Sequence, residues 1–338
     1  MDKLAIFSGT SNPQLTQDIC SYVGTDLGRS IVSHFPDGET MVKIEQDIRG
    51  KDCFVVQSTA PPVNENVMEL LIYIDCLKRA SANSITIVVP YFGYARQDRK
   101  TEGRTPISAK MVADLINVVG ANRLVTIDLH AKQIEGFFNI PVDNLKALPV
   151  FVDHINANRI ADRNSVILAP DVGSMKRVDE YAQNLGCGIA VVHKKRLNGE
   201  DALATNLVGE VEGRNVLMFD DMISTAGTIR EAASMAKEKG ALEVHAFATH
   251  GLFTGPAVER IQSSGIDAIT TTDTTVTNKR IKTKNEEFFG THPHKTGWPA
   301  FHTVTVAKLL GEAILRIYEK RSVSVLLRSD SDKGIRYL

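Results

Sequence analysis

Short apolar runs recur along the chain and alternate with segments of helical periodicity. The runs are LAIF, CFVVQ, ITIVVP, RLVTI, SVILAP, IAVVH, NVLMF and VHAFAT, and each has the length of a β-strand. Several are continuously apolar, which is typical of strands buried on both faces of a parallel sheet. Helix-period segments, such as 64–80 and 227–240, lie between them. The pattern therefore predicts an α/β fold of mainly parallel sheets flanked by helices.

The two halves of the chain resemble each other internally. The segment that starts KDCFVVQ at residue 51 can be laid against the one that starts GRNVLMF at residue 213. Strand, loop, helix, Lys-rich turn and strand then match in order. A chance match is the alternative, because all βαβ units look alike, but an offset of about half the chain favours a duplicated domain. We predict two domains, 1–145 and 146–338.

Composition describes a globular protein without a strong overall charge. Hydrophobic residues make up 43% and charged residues 23%, which suits a protein with sizeable cores. The 39 Lys plus Arg balance 40 Asp plus Glu, so any phosphate site must be local rather than part of a basic field for nucleic acid. Four scattered cysteines without a CxxC pair predict free thiols in a reducing cytoplasm. We expect neither export nor a membrane span.

The stretch NVLMFDDMISTAGTIREAA, 215–233, combines two carboxylates with a cluster of small residues. Asp220 and Asp221 follow a predicted strand, and Ser224 to Thr228 leads into a helix. Ligands of open α/β sheets bind outside the carboxyl ends of strands, and a helix start offers free N–H groups to a phosphate. The carboxylates would repel that phosphate, so we expect them to accept hydrogen bonds from sugar hydroxyls or to engage a hydrated divalent cation. An ordinary Asx-type turn is the alternative.

Other polar clusters are further candidates for chemistry, and most of them follow predicted strands. In PYFGYARQDRK, 90–100, aromatic residues beside arginine suit a purine triphosphate, with a solvated loop as the alternative. HFPDGET, 34–40, is typical of a turn, and HKKR, 193–196, of a surface charge run. His130 and Asp171 end strands in the two halves, where they could share a Mg²⁺ or serve as structural caps.

Two further patterns are uninformative about chemistry. His292, His294 and His302 lack the spacing and carboxylate company of a metal site, so we expect them in a loop. The chain has neither a Walker A pattern nor a GxGxxG after a strand, so a nucleotide would have to be held in another way.

Taken together, these motifs resemble the ribose-phosphate diphosphokinase (phosphoribosyl-diphosphate synthetase) family along nearly the whole chain. VLMFDDMISTAGT is similar to the phosphoribosyl-diphosphate loop shared with phosphoribosyltransferases. FPDGE, YFGYARQDR, TIDLHAKQIEGFF, APDVG and KKR, in that order, separate the synthetases from the transferases. The resemblance implies two tandem phosphoribosyltransferase-like domains. It also implies a Mg²⁺-dependent transfer of the diphosphoryl group of ATP to ribose 5-phosphate, giving AMP and 5-phosphoribosyl 1-diphosphate for nucleotide biosynthesis.

The resemblance further implies a homo-oligomer, built from dimers and commonly a hexamer, and a role for each matching residue. Lys194 and Arg196 match the pair that stabilises the transferring group, with Lys194 the expected catalytic residue. His130 and Asp171 match the Mg²⁺ positions. The ATP residues, of which the FPDGE group acts across a dimer interface, are Phe35, Asp37, Gly38, Glu39, Arg96, Gln97 and Asp98. Arg196 also belongs to the ribose 5-phosphate residues. Among these, Asp220 and Asp221 are expected to meet the sugar hydroxyls, and the 5-phosphate is expected to be held by Ser224, Thr225, Ala226, Gly227 and Thr228.

The chain departs from the family pattern at several places. Ser224 and Ala226 replace the first and third members of the common Asp-Thr-Gly-Gly-Thr loop, and we expect Ala226 to avoid positive φ. The loop KTEGRTP, 100–106, is one residue shorter than in common bacterial members and less basic. The region 284–302 and the tail 328–338 differ most, so the resemblance does not extend to allosteric control by phosphate or ADP.

Two alternative functions stay open. A phosphoribosyltransferase would share the DDMISTAGT loop but would not explain a duplicated domain with FPDGE and YFGYARQDR. A non-catalytic homologue that regulates true synthetases would be expected to have lost active-site residues, yet His130, Asp171, Lys194 and Arg196 are all present.

Overall fold

A computed structural model describes residues 2–196, 203–276, 281 and 298–327, with backbone alone for 194–196 and 203–205. Its contacts divide the chain into two compact units. Of the described residues, the first unit comprises 2–147, Thr274–Val276 and 305–327. The second comprises those within Leu148–Asp273 and within 277–304. Both are α/β structures, as the alternating pattern predicts.

The first unit contains a five-stranded parallel sheet in the order β1-β4-β5-β6-β7 and a separate antiparallel hairpin, β2-β3. The central strands are almost wholly buried, because helices cover both faces of their apolar runs. The elements are β1 (Leu4–Ser8), α1 (Pro13–Val23), β2 (Ser30–His34), β3 (Thr40–Ile44), β4 (Asp52–Val56), α2 (Val63–Arg79), β5 (Ser84–Val89), α3 (Ser108–Val119), β6 (Arg123–Ile127), a 3-10 turn (Lys132–Phe137) and β7 (Val142–Leu145).

The second unit contains a seven-stranded sheet in the order β10-β9-β8-β11-β12-β13-β14, in which β10 is antiparallel to β9 and the other pairs are parallel. Its elements are α4 (Leu148–Asn158), β8 (Ser165–Ala169), a 3-10 turn (Val172–Ser174), α5 (Met175–Leu185), β9 (Gly188–Arg196), β10 (Leu203–Val208), β11 (Asn215–Ile223), α6 (Gly227–Glu238), β12 (Glu243–Gly251), α7 (Ala257–Gln262), β13 (Ala268–Thr272) and β14 (Ala300–Val304).

The two sheets repeat one topology. The order β1-β4-β5-β6-β7 of the first unit matches β8-β11-β12-β13-β14 of the second, and in each an antiparallel strand pair follows the helix that comes after the first strand of this order. The segments aligned in the sequence are β4-α2-β5 and β11-α6-β12, which occupy equivalent places. This agreement supports the duplicated domain inferred from the internal similarity.

The C-terminal helix α8 (Ala307–Tyr318) and the 3-10 turn Ser324–Leu326 belong to the first unit, although the sequence placed all of 146–338 in one domain. The difference has a packing reason. One face of α8 is buried, and the helix packs against α1. Gly311 permits the close approach, since a Cβ there would lie only 2.5 Å from Cδ1 of Tyr22.

Two general expectations can be compared with the described residues. All four cysteines are free thiols, and Cys20 and Cys53 are buried within the first unit, where burial raises the pKa of each thiol, to about 11 and about 12. Within the described ranges, none of the helices has both the length and the apolar character needed to cross a bilayer.

Candidate active site

Asp220 and Asp221 are the sixth and seventh of the nine residues of β11, inside the strand rather than after it as the sequence suggested. The strand continues to Ile223 because its pairing with β12 runs on to Gly251, whereas its pairing with β8 ends at Met218. The Asp220 side chain is 24% exposed and that of Asp221 is 7% exposed. Two adjacent carboxylates are thus held at the carboxyl edge of the second unit's sheet, where ligands of such sheets bind.

Arg177, which the sequence reading did not single out, contacts both carboxylates. Its Nη1 lies 2.7 Å from Oδ1 of Asp220 and 3.2 Å from Oδ1 of Asp221. Asp220 Oδ1 also accepts from the backbone N–H of Asp221 at 2.9 Å. Arg177 reaches this position from α5, which follows the neighbouring strand β8. The three side chains form one charged cluster with a net negative charge.

The Asp220 carboxyl is electrostatically strained. Burial, followed by the negative charge of Asp221, raises its pKa above the ordinary range, while Arg177 acts in the opposite direction. Groups that hydrogen-bond to the charged form would relieve this strain. Sugar hydroxyls are donors of that kind, so the cluster suits the polyhydroxyl part of a ligand better than its phosphate.

The loop after β11 is fastened to the chain that follows β12. Ser224 Oγ lies 3.0 Å from Thr254 Oγ1, and the N–H of Thr254 donates to the carbonyl of Ser224 at 2.9 Å. Arg260 Nη1, from α7, donates to the carbonyl of Thr225 at 3.1 Å. These hydrogen bonds fix the conformation of the loop, which is the turn at the start of α6.

Ala226 adopts a left-handed conformation, with φ 58° and ψ 18°, so the expectation that it would avoid positive φ is wrong. Its methyl group is buried in the core of the second unit, and that packing offsets a conformational cost of about 1–2 kcal/mol for a residue with a Cβ. α6 begins at the next residue, Gly227, and contains Thr228. The first N–H groups of a helix have no intrahelical acceptor, so this turn offers donors to an anion.

Asp171 caps a 3-10 turn directly after β8. Its Oδ1 accepts from the N–H of Ser174 at 2.8 Å, and Ser174 Oγ donates to the carbonyl of Asp171 at 2.7 Å. The structural cap considered from the sequence is therefore present. A carboxylate has two oxygens, so capping through Oδ1 leaves acceptor capacity for a cation. His130, in the first unit, is an exposed residue after β6.

The nucleotide residues predicted in the first unit lie on two segments. Phe35, Asp37, Gly38 and Glu39 form the turn of the β2-β3 hairpin, in which the N–H of Phe35 donates to the carbonyl of Glu39 at 2.8 Å. The Phe35 side chain is exposed. Arg96, Gln97 and Asp98 follow β5, where the Gln97 side chain accepts from the Ser108 hydroxyl and Asp98 accepts from Gln133 Nε2.

Two of the three aromatic residues that precede Arg96 in the segment 90–100 belong to the core. Tyr91 and Phe92 are buried, and Phe92 packs edge-on against Phe138 in the core. Neither ring is therefore placed to stack on a base. Exposed Phe35 is the better candidate for that contact.

Several predicted positions receive no side-chain description. Lys194 and Arg196 lie near the end of β9, paired with Thr205 and Leu203 of β10, and their side chains are outside the described part. His292 and His294 are outside it as well, as is the tail 328–338. His302 belongs to β14 rather than to a loop. Among the described residues, no group of three or more His, Cys, Asp or Glu side chains could hold a metal ion.

Comparisons with known proteins agree on one family. A model of the N-terminal domain of ribose phosphate pyrophosphokinase matches residues 4–120, and one of the phosphoribosyl synthetase-associated domain matches residues 200–328. The ribose-phosphate pyrophosphokinase of Rhodopirellula baltica is 48% identical, with 97% of this chain and 99% of that protein covered. That of Thermotoga maritima is 46% identical, with the same coverage.

A solved structure is similar as well. The crystal structure of phosphoribosylpyrophosphate synthetase from Mycobacterium smegmatis has a TM-score of 0.83 and 35% sequence identity to this chain. The match covers 94% of this chain and 99% of that one. With relatives this similar over almost the full length of both sequences, the chain belongs to the ribose-phosphate pyrophosphokinase family.

Proposed function

We propose that the protein transfers the β,γ-diphosphoryl group of ATP to the 1-hydroxyl of ribose 5-phosphate, giving 5-phosphoribosyl 1-diphosphate and AMP. The observation that carries the proposal is the cluster at the end of β11. Asp220 and Asp221 precede a supported turn at a helix start, so acceptors for hydroxyls and donors for a phosphate lie in one short segment. A phosphorylated sugar carries both kinds of group, hydroxyls and a phosphate.

Within the second unit, Asp220 and Asp221 accept hydrogen bonds from the ribose hydroxyls. The backbone and side chains of Ser224, Thr225, Ala226, Gly227 and Thr228 hold the 5-phosphate, with N–H groups of the helix start and hydroxyl groups as donors. Ser224 in place of the family's common aspartate removes one negative charge from the neighbourhood of that phosphate, and its hydroxyl is itself a donor.

ATP binding falls to the first unit. Phe35 offers an exposed ring for stacking on adenine, and its turn presents Asp37, Gly38 and Glu39 beside it. Arg96, Gln97 and Asp98 supply charge and amide groups for the rest of the nucleotide. By resemblance to the family, whose members commonly form hexamers, we propose a homo-oligomer built from dimers in which the Phe35 turn of one copy contacts the nucleotide of another.

The residues present fit Mg²⁺ that arrives with the nucleotide better than a resident ion. Mg²⁺ keeps several waters and is usually bound by one or two carboxylates together with substrate phosphates. Asp171 supplies such a carboxylate, and His130 is the second residue that the resemblance assigns to this ion. When bound, Mg²⁺ would neutralise charge on the triphosphate oxygens.

In the reaction, the oxygen of the 1-hydroxyl forms a bond to the β-phosphorus. The bond from that phosphorus to the oxygen bridging to the α-phosphate breaks, AMP leaves with the electron pair, and the hydroxyl proton is released. We assign Lys194 to stabilise the transferring group as the catalytic residue. Arg196 supports it and also contacts ribose 5-phosphate. Catalysis is then mainly positioning and charge stabilisation.

The deciding experiment is to incubate the protein with ATP, Mg²⁺ and ribose 5-phosphate and to follow the phosphorus NMR signals. AMP and a new diphosphate signal are expected, whereas ADP as the product would contradict diphosphoryl transfer. A phosphoribosyltransferase would instead consume 5-phosphoribosyl 1-diphosphate, and a regulatory homologue would form no product.

Lys194→Ala should reduce kcat by about 100-fold or more while leaving ATP binding largely intact.

We also propose a cytoplasmic location. The four free thiols support it, because a reducing compartment preserves thiols of this kind. Labelling of intact and lysed cells with an impermeant thiol reagent, followed by recovery of the protein, would test it.

A further inference from the structure

Arg177 lies beside the part of β11 that extends past the end of β8. The pairing of β11 with β8 ends at Met218, while its pairing with β12 continues past Asp220 to Ile223. The edge of β11 that carries the two carboxylates therefore extends beyond the end of β8. The chain that follows β8 enters α5, whose Arg177 supplies a guanidinium at that edge.

Adjacent residues in a strand ordinarily point to opposite faces of the sheet. Asp220 and Asp221 nevertheless place one oxygen each, Oδ1, on the same nitrogen of Arg177, at 2.7 and 3.2 Å. A single cation between them fixes the direction of both carboxylates. Without it, two neighbouring negative charges with limited exposure would repel each other with no cation between them.

Resting on the proposed function, we propose that Arg177 is a positioning residue for ribose 5-phosphate. It holds the carboxylates of Asp220 and Asp221 in the orientation that accepts the ribose hydroxyls, and it acts through them. Its contribution therefore falls on the affinity for the sugar phosphate rather than on the diphosphoryl transfer itself.

A purely structural role would give a different signature. The Arg177 side chain is 31% exposed, so its removal opens no large cavity in the core. Structural damage would lower the melting temperature and kcat together and would disturb ATP as much as ribose 5-phosphate. A positioning role would raise KM for ribose 5-phosphate and leave the melting temperature, kcat and KM for ATP nearly unchanged, because ATP binding does not involve the two carboxylates.

The test compares Arg177→Gln and Arg177→Lys in the full-length protein, with separate KM values for the two substrates. Arg177→Gln should raise KM for ribose 5-phosphate about 10- to 100-fold, with kcat and KM for ATP changed less than about threefold. Arg177→Lys retains the charge but not the planar guanidinium group. Its KM for ribose 5-phosphate should lie between that of Arg177→Gln and that of the unaltered enzyme. Arg214→Gln is the matched control, since Arg214 lies before the opposite end of β11 and pairs with Glu210 at 3.0 Å.

A double-mutant cycle keeps the proposal falsifiable if one variant is poorly stable. If Arg177 acts through Asp220, then Arg177→Gln should weaken calorimetric binding of ribose 5-phosphate far less in an Asp220→Asn background than alone. Additive losses, or an unchanged KM for ribose 5-phosphate in Arg177→Gln, would overturn the inference. Failure of the unaltered enzyme to form AMP would instead overturn the proposed function, so the two failures are distinguishable.

Discussion

Ser224 Oγ lies 3.0 Å from Thr254 Oγ1, which joins the turn after β11 to the segment after β12. Either hydroxyl can be the donor. When Thr254 donates, Ser224 keeps its own O–H for a ligand, so Thr254 orients the hydroxyl that we assign to the 5-phosphate. The hydrogen bond with Thr254 thus orients the hydroxyl of Ser224, the uncharged residue at the first position of the loop.

Thr254→Val should therefore weaken the binding of ribose 5-phosphate. The loss of one hydrogen bond of about 1 kcal/mol predicts a KM about fivefold higher, with kcat nearly unchanged. Steady-state kinetics would measure this. Ser234→Ala is the control, since Ser234 also bonds across to a neighbouring segment, to the carbonyl of Ser264 at 3.4 Å, but from within α6. An equal KM change in both variants would contradict an orienting role for Thr254.

The left-handed conformation of Ala226 predicts an opposite response to glycine at two alanines close in sequence. Ala226→Gly should raise the free energy of unfolding by up to about 1 kcal/mol, because glycine adopts positive φ without the Cβ penalty. Ala236→Gly, in the interior of α6, should lower it by about 1 kcal/mol or more. Denaturant titration would measure both. Destabilisation by Ala226→Gly would show that the methyl packing outweighs the backbone strain.

The exposed ring of Phe35 should matter for ATP and not for folding. Base stacking on an aromatic side chain is worth about 1–3 kcal/mol, so Phe35→Ala should raise KM for ATP about 5- to 100-fold. KM for ribose 5-phosphate and the melting temperature should stay nearly constant, because the ring is 49% exposed. Ile31→Ala, at an exposed apolar residue of the same hairpin, is the control and should leave KM for ATP unaltered.

His245 predicts an acid sensitivity of the second unit. Its ring stacks on Phe247, its Nε2 lies 2.8 Å from Thr270 Oγ1, and burial lowers its pKa from 6.5 to about 3. Because the folded state disfavours the proton, the stability that the neutral ring contributes is present above pH 6.5 and is lost as the pH falls toward 3.

Replacement by a non-titrating ring isolates this contribution. His245→Phe should flatten the fall in the free energy of unfolding between pH 6 and 4 by up to about 1.4 kcal/mol per pH unit. Phe247→Leu removes a buried ring without removing a titrating group, so it should lower stability without flattening the slope. Urea titrations at a series of pH values would measure both, and equal slopes in His245→Phe and the unaltered protein would contradict the assignment.

The sequence predicted the parts of the fold that depend on local apolar runs. All eight runs form strands. Several of them, such as Ser165–Ala169, are buried along their whole length, as continuously apolar runs predict. The unpredicted strands are of another kind. β13 contains three consecutive threonines, and such a strand is buried only because hydroxyls find partners, as Thr272 Oγ1 does with the carbonyl of Thr249 at 2.6 Å.

The site divides in the same way. Asp220, Asp221 and the small residues after them are contiguous, so the sequence predicted that segment as a unit. Arg177 is 43 residues away in the chain and sits in MKRVDE, which is typical of a solvated helix start. Only the adjacency of β8 and β11 brings it to the carboxylates. An arginine in the first turn of the helix after APDVG was the one available signal.

Because the first unit is built from both ends of the chain, its structure limits recombination between related genes. The chain leaves the first unit after Ala147, re-enters it for Thr274–Val276 and returns at Thr305 with the helix that covers α1. Recombination in the middle of the gene would combine the N-terminal part of one parent with the helix α8 of another. Tyr22 and Gly311, which contact each other, would then come from different parents. Although the two halves repeat one topology, we expect such a recombinant to fold well only where the residues on both sides of that contact fit each other.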